Sequence, residues 1–255
     1  MNLAAMLLPL LPGGAGVIAF VGAGGKTSAL FRLAEELAAE GRRVLLTSTT
    51  HLMDPRGEAA RPPLTLELRA ELEAPPGACE LPRVLPGLTV LMARPAVEPG
   101  KLKGLHPAWI PALKASWDFV LVEADGSRRL PVKAPADHEP VLPSGTDLVV
   151  GVVGLTALGR PLDGRTVHRP ERFHDVTGCA PGAPITWDHV VALARHPQGL
   201  FKDAPGPRAM LLNQADQATP LPTASQLAEL PADQVLLTTL APEVRILACG
   251  PGRRP

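Results

Sequence analysis

The run from Gly16 to Ser28, GVIAFVGAGGKTS, limits the fold more than any other stretch of the chain. An apolar segment, Val17 to Val21, leads into Gly22, Gly24 and Gly25, then Lys26, Thr27 and Ser28, and a helical period begins directly after. The physical reading is a buried strand, a tight loop and a helix start. A helix start presents unpaired N–H groups and a partial positive charge, so it attracts anions. Glycines let the backbone close on a phosphate without a Cβ in the way. Lysine adds a full charge, and a Thr or Ser hydroxyl can bind Mg²⁺. The expectation is a loop that holds a nucleoside triphosphate, GTP or ATP, along Gly22, Ala23, Gly24, Gly25, Lys26, Thr27 and Ser28. Backbone N–H groups of Gly22 to Lys26 hold the phosphates, Lys26 pairs the β- and γ-oxygens, and Thr27 ligates Mg²⁺.

The loop is a shortened phosphate motif, because the strict pattern places a glycine where this chain has Phe20. A dinucleotide fingerprint would need glycine at Thr27 and an acid at the end of the second strand. That strand runs into Thr47-Ser-Thr-Thr-His51, with no acid, so the dinucleotide reading fails twice. A glycine-rich turn with no ligand is the remaining alternative.

Leu30, Leu33 and Leu37, with Ala34 and Ala38, mark one apolar face of a helix that stops near Gly41. Val44 to Thr47 is a second buried strand. Strand, loop, helix and strand make a βαβ unit and call for a parallel sheet. The predicted fold class is a P-loop NTPase-like three-layer α/β sandwich with a mostly parallel central sheet. The 255 residues suffice for a single domain, 1–255, with a short N-terminal helix within 1–15 and a loose tail at 250–255. Basic and acidic residues balance at 25 each, which argues against nucleic-acid or membrane binding. Cys79, Cys179 and Cys249 are far apart and odd in number, which suggests neither a disulfide framework nor a metal clip and fits a cytoplasmic protein. The apolar N-terminus lacks a basic start and is broken by Pro9 and Pro12, unlike a signal peptide.

Residues 54–87 are harder to read, and Leu64–Arg69 fits either a strand or a helix start. Thr89–Ala93 reads as a strand and Pro107–Ser116 as a helix weakened by Pro111. Phe119–Val122 is a buried strand ending in Glu123-Ala-Asp125-Gly126. Open α/β sheets bind ligands beyond their C-terminal strand ends. Glu123 or Asp125 is therefore the expected metal partner of Thr27, and Gly126 allows close approach to a terminal phosphate. Arg128 and Arg129 follow and are placed to neutralise transition-state charge, while Thr49, Thr50 and His51 on the neighbouring strand end are placed to sense the γ-phosphate. Asp137, His138 and Glu139 stand in a row between prolines, in a segment expected to be stiff and extended. A water-positioning base, a metal ligand and a substrate contact are all open to them, as is an ordinary surface loop. The candidate catalytic set is Lys26, Asp125, Arg128, Asp137, His138 and Glu139.

Downstream, Asp147–Val153 is another buried strand. His168, His174 and His189 receive no role. Arg208–Leu212 is an apolar strand ending in Asn213-Gln-Ala-Asp216, close to the Asn-Lys-x-Asp element of GTPases. An Asp carboxylate there accepts from the guanine N1–H and exocyclic amine, and adenine would leave it unpaired. A helix cap or Asx-turn is the plain alternative. Val235–Leu240 and Val244–Cys249 complete the sheet.

Several segments together resemble the YqeC family: GAGGKTS at 22–28, TSTTHL at 47–52, VEADGSRRLPVKAPADHEPVLP at 122–143, VVGLTALGRPL at 152–162, VHRPE at 167–171 and LLNQADQ at 211–217. The 122–143 segment is far more specific than the glycine loop. The resemblance implies a P-loop nucleotide-binding protein that serves the maturation of a selenium- or molybdenum-containing hydroxylase, with that enzyme or its cofactor-maturation proteins as partners. It brings no catalytic assignments. The reading is an Mg²⁺-dependent NTP site, GTP favoured, with slow hydrolysis. The alternatives are a small-molecule kinase using the same loop, and a docking protein that nucleotide merely orders.

Overall fold

A computed structural model describes residues 2–57, 64–77, 79–240 and 245–252. Fourteen strands follow one another along them: β1 (Gly16–Gly22), β2 (Arg43–Ser48), β3 (His51–Met53), β4 (Thr65–Leu68), β5 (Gly87–Met92), β6 (Arg94–Pro95), β7 (Lys101–Lys103), β8 (Phe119–Glu123), β9 (Val132–Lys133), β10 (Leu148–Gly154), β11 (Val167–His168), β12 (Arg208–Asn213), β13 (Gln234–Thr239) and β14 (Arg245–Gly250). Nine form one sheet in the order β14-β13-β12-β10-β1-β8-β2-β5-β4. Every neighbouring pair in it is parallel except β13 with β14. The helices are α1 (Leu3–Leu7), α2 (Lys26–Ala39), α3 (Ile110–Lys114), α4 (Pro170–Thr177), α5 (Trp187–Arg195) and α6 (Ala224–Leu227).

The three layers follow from the two-residue period of a strand. In β1, Ile18 and Phe20 enter one core with Leu30, Leu33 and Leu37 of α2 and Leu3 and Leu7 of α1. Ala19 and Val21 point the other way, into a core with Phe173 of α4 and Val190 and Leu193 of α5. Val17 joins a third cluster around Trp109, Ile110 and Trp117. All seven residues of β1 are buried, as a strand covered on both faces requires. The mostly parallel three-layer α/β architecture predicted from the βαβ signal is the one observed.

Leu64–Arg69 resolves as an edge strand, β4, rather than a helix start. The helix expected over Pro107–Ser116 becomes a 3₁₀ turn at Pro107–Trp109 followed by the short α3, in keeping with the two prolines. The last strand is antiparallel and starts at Arg245, since Val244 lies outside the described residues. Gly250 ends β14, and a Cβ at Gly252 would sit 2.4 Å from the carbonyls of Leu230 and Ala232. Of the tail expected to be loose, residues 253–255 lie outside the described ones. Among the described residues, no helix is long and apolar enough to cross a membrane.

β1 lies between β8 and β10, with β12 next beyond β10. The segments singled out in sequence thus leave adjacent parallel strands at the same edge of the sheet.

Candidate functional site

The loop after β1 turns through glycines in conformations that favour no other residue: Gly22 (φ 92°), Gly24 (φ 84°) and Gly25 (φ 124°). A Cβ on Gly24 would fall 2.2 Å from the Gly154 nitrogen at the end of β10, and one on Gly25 would fall 2.3 Å from Asn213 Nδ2 at the end of β12. The loop is therefore pressed onto the ends of two strands. Asn213 reinforces this by donating from Nδ2 to the Gly24 carbonyl at 2.8 Å.

Accounting for the N–H groups changes which of them are candidates for an anion. Gly22 donates to Asp125 Oδ2 at 3.0 Å, Ala23 to the Val152 carbonyl at 2.9 Å, and Gly24 to the Leu130 carbonyl at 3.0 Å. These three groups, expected on phosphate, have protein acceptors because the shortened loop packs against its neighbours. At the start of α2, Gly25 is the N-cap and no side chain caps the helix. The N–H groups of Lys26, Thr27 and Ser28 precede the first intrahelical donor, Ala29, which bonds the Gly25 carbonyl at 2.9 Å. The loop donors without a protein acceptor among the described residues are those of the helix start, not of Gly22, Ala23 and Gly24 before it.

Beneath them lies a buried charge network. Lys26, Asp125 and Lys133 are 2 %, 1 % and 1 % exposed. Lys26 Nζ donates to the Gly22 carbonyl at 2.6 Å and sits 3.1 Å from Asp125 Oδ1, close but without hydrogen-bond alignment. Lys133 Nζ lies 3.0 Å from Asp125 Oδ2, and donates to Glu139 Oε2 and the Gly126 carbonyl at 2.7 Å each. Asp125, predicted as a metal partner, instead sits between two ammonium groups, whose repulsion opposes a divalent cation. Glu123 is the better fit. Its Oε2 accepts from Thr27 Oγ1 at 2.8 Å. Adjacent oxygens in an octahedral Mg²⁺ shell with ligands at 2.0–2.1 Å lie about 2.9 Å apart, so this pair of hard donors suits Mg²⁺. Burial raises the Glu123 pKa, against the opposing pull of Lys26 and the Thr27 hydroxyl. Among the described residues no cluster of three His, Cys, Asp or Glu side chains forms a metal cage. Mg²⁺ commonly takes one or two protein carboxylates with substrate phosphates and water instead.

The Asp137–Glu139 row is not an extended arm. Glu139 N–H bonds the Ala136 carbonyl at 3.0 Å, closing a turn that separates the three side chains. Asp137 and His138 are exposed, and Asp137 pairs with Arg172 at the surface. Glu139 alone turns inward, where Lys133 and Arg169 (Nη1 at 2.6 Å) share its Oε2. Burial alone would raise its pKa, but Arg169 and Lys133 together hold it down at about 2. Lys202 fixes the turn by donating to the carbonyls of Ala136, Asp137 and Glu139 at 3.3, 2.6 and 3.1 Å. Sequence reasoning assigned nothing to Arg169 or Lys202 and saw Lys133 only as the head of the segment. A lone cation beside a loop carries no periodic signal.

Arg128 and Arg129 are exposed and in left-handed backbone. Thr49 donates from Oγ1 to the Val141 carbonyl at 2.8 Å, and His51 lies exposed on β3, in a separate small sheet with β7 and β6. At the β12 end, Asp216 is exposed and accepts from Thr239 Oγ1 at 3.2 Å, while Gln214 (φ 65°) accepts from Thr156. A cleft of about 410 Å³ lies between the loops after β10 and β12, against Leu155, Trp187 and Gln217. None of the residues of the glycine loop or the buried charges lines it. The cleft and the buried charges are therefore separate places in the fold.

A glycine-rich helix start beside a buried lysine–carboxylate network, at the carboxyl ends of parallel strands, defines an open α/β protein with a candidate site at the strand ends. Comparison places it more closely. The family described as YqeC protein matches residues 18–171, and the chain belongs to that family. It is 42 % identical over 195 residues to Uncharacterized protein YqeC of Escherichia coli (strain K12), covering 74 % of this chain and 71 % of the relative. No solved structure matches the chain.

Proposed function

We propose that this chain binds Mg²⁺ and a nucleoside triphosphate, GTP in preference to ATP, at the start of α2, hydrolyses it slowly, and acts in maturing a selenium- or molybdenum-containing hydroxylase. The observation that carries the nucleotide reading is the start of α2: three N–H groups without a side-chain cap beside buried Lys26 and the Thr27–Glu123 oxygen pair. Helix dipole, orphan donors and a full positive charge all favour a polyphosphate there. Lys26 would exchange the Gly22 carbonyl and Asp125 for phosphate oxygens, leaving Asp125 to Lys133. Mg²⁺, held by Thr27 and Glu123, supplies charge neutralisation at the phosphates. Asp216 at the end of β12 would read the guanine edge, with Asn213 tying that turn to the loop. Slow turnover is supported by the exposed Arg128, which no ion pair among the described residues holds in place; a fixed arginine contributes about 10³–10⁵ in rate.

The maturation role is supported by the family resemblance across residues 122–143. Three free cysteines support the reducing cytoplasm as its compartment. The deciding measurement is a titration of GTP, ATP and NAD, with and without Mg²⁺, on wild type, Lys26→Ala and Asp216→Ala. Lys26→Ala should lose triphosphate affinity at least tenfold, and Asp216→Ala should lose GTP preference while keeping ATP. Unchanged affinity in Lys26→Ala overturns the phosphate site, and equal losses for both nucleotides in Asp216→Ala overturn guanine recognition. Single-turnover phosphate release without any acceptor separates hydrolysis from phosphoryl transfer.

A further inference from the structure

Five non-glycine residues have left-handed backbone among the described ones, and three of them are arginines at one place: Arg128 (φ 50°), Arg129 (φ 60°) and Arg169 (φ 69°). Side-chain-bearing residues avoid this region and persist there where the surroundings hold them, commonly at ligand sites. The turn that carries Arg128 and Arg129 is fastened to the glycine loop, since Gly24 N–H bonds the Leu130 carbonyl and Gly154 N–H bonds the Pro131 carbonyl. Arg169 reaches the same place through the β9–β11 pairing, which sets His168 beside Lys133.

The charge there does not balance. Lys26, Lys133 and Arg169 are already matched by Asp125, Glu139 and the neighbouring Glu123. Arg128 adds a fourth cation with no carboxylate in ion-pair contact among the described residues. Its charge reaches Glu98, but that carboxylate is paired with Lys101. His168, half-buried, registers the surplus. Burial first, then the charges of Arg169, Lys133 and Arg128, push its pKa down to about 4, with Glu139 opposing. At neutral pH its imidazole is uncharged and carries an N–H donor with no protein partner among the described residues.

We propose that Arg128, Arg169 and His168 form the seat of a second, anionic ligand, a small tetrahedral oxyanion bound apart from the triphosphate at the start of α2. Guanidinium forks suit such an anion, and the imidazole adds a donor without adding charge. As a co-substrate of the nucleotide reaction this anion depends on the triphosphate reading above; as a ligand of these three side chains it does not.

The test uses sulfate, which stays ionised throughout, against chloride at matched ionic strength. The His168 ring resonance, assigned with His168→Gln, is followed by NMR from pH 7 to 3. Sulfate should raise the His168 pKa saturably from about 4 to about 5 or above, the tenfold gain in proton affinity expected when a neighbouring positive charge is neutralised. The rise should persist in Lys26→Ala, vanish in Arg128→Gln and return in Arg128→Lys. Arg128 is exposed, so its variants keep the fold, which far-UV circular dichroism checks. No rise, an equal rise with chloride, or a rise kept in Arg128→Gln but lost in Lys26→Ala overturns the second seat; the last result would place the anion on α2. Failure of Lys26→Ala to weaken triphosphate binding bears only on the nucleotide reading.

Discussion

Replacing Lys133 by methionine tests the buried network most directly. The ammonium is 1 % exposed and serves Glu139, Asp125 and the Gly126 carbonyl, at 2.7, 3.0 and 2.7 Å. Methionine fills most of the space but leaves Glu139 to Arg169, Asp125 to Lys26, and the Gly126 carbonyl without its donor. Removing one partner of a buried ion pair costs about 3–5 kcal/mol. For a chain of this length that lowers Tm by about 10 °C, at roughly 2–4 °C per kcal/mol. The loss should depend on pH. Glu139 ionises at about 2 in the fold against 4.5 ordinarily, so its stabilising contribution is complete above 4.5 and disappears as pH falls through about 2. The contribution is about 2 kcal/mol once partial solvent screening is allowed for. Urea denaturation of wild type and Lys133→Met at pH 7, 4 and 3 should show the gap closing over that window. Adding Glu139→Gln to Lys133→Met should recover part of the loss, a coupling of about 0.5–3 kcal/mol. A loss under about 1 kcal/mol at pH 7, or a gap independent of pH, would refute the network as described.

Gly24→Ala forces a Cβ to within 2.2 Å of the Gly154 nitrogen at φ 84°, so denaturation should show a loss of about 2 kcal/mol or more and the loop should lose triphosphate affinity; a variant that behaves as wild type in both assays counts against the observed packing. Glu123→Gln should abolish the Mg²⁺ dependence of nucleotide binding. Because burial raises the Glu123 pKa, protons compete with the metal, so wild-type Mg²⁺ affinity should climb as pH rises from mildly acidic to neutral, and isothermal titration should find the Gln variant flat across the same range.

The architecture was legible because it rests on local periods. Val17–Val21 and the Leu30–Leu33–Leu37 face each declare an element within a dozen residues, and a buried strand before a helix and another buried strand leaves a parallel sheet as the economical packing. Pairing of Thr27 with Glu123, 96 positions apart, was also within reach, because each leaves a neighbouring parallel strand at the same edge. The extended form expected of the Asp137–His138–Glu139 row gives way to a turn, because adjacency in sequence says nothing about side-chain direction. A single turn hydrogen bond sends Glu139 inward and leaves its neighbours at the surface.

By itself, then, the amino-acid sequence determined the strand–loop–helix at Gly16–Ala39, the parallel α/β class, and the family through the specific run at 122–143. Tertiary structure alone decided which loop N–H groups find protein acceptors, that Asp125 sits between two lysine ammonium groups, and that Arg169 closes on Glu139 from 30 positions away. The physical reason is one of range. Burial period and backbone conformation are set by near neighbours along the chain, whereas the charge state and hydrogen bonding of a buried side chain are set by whatever the fold brings within a few ångströms of it.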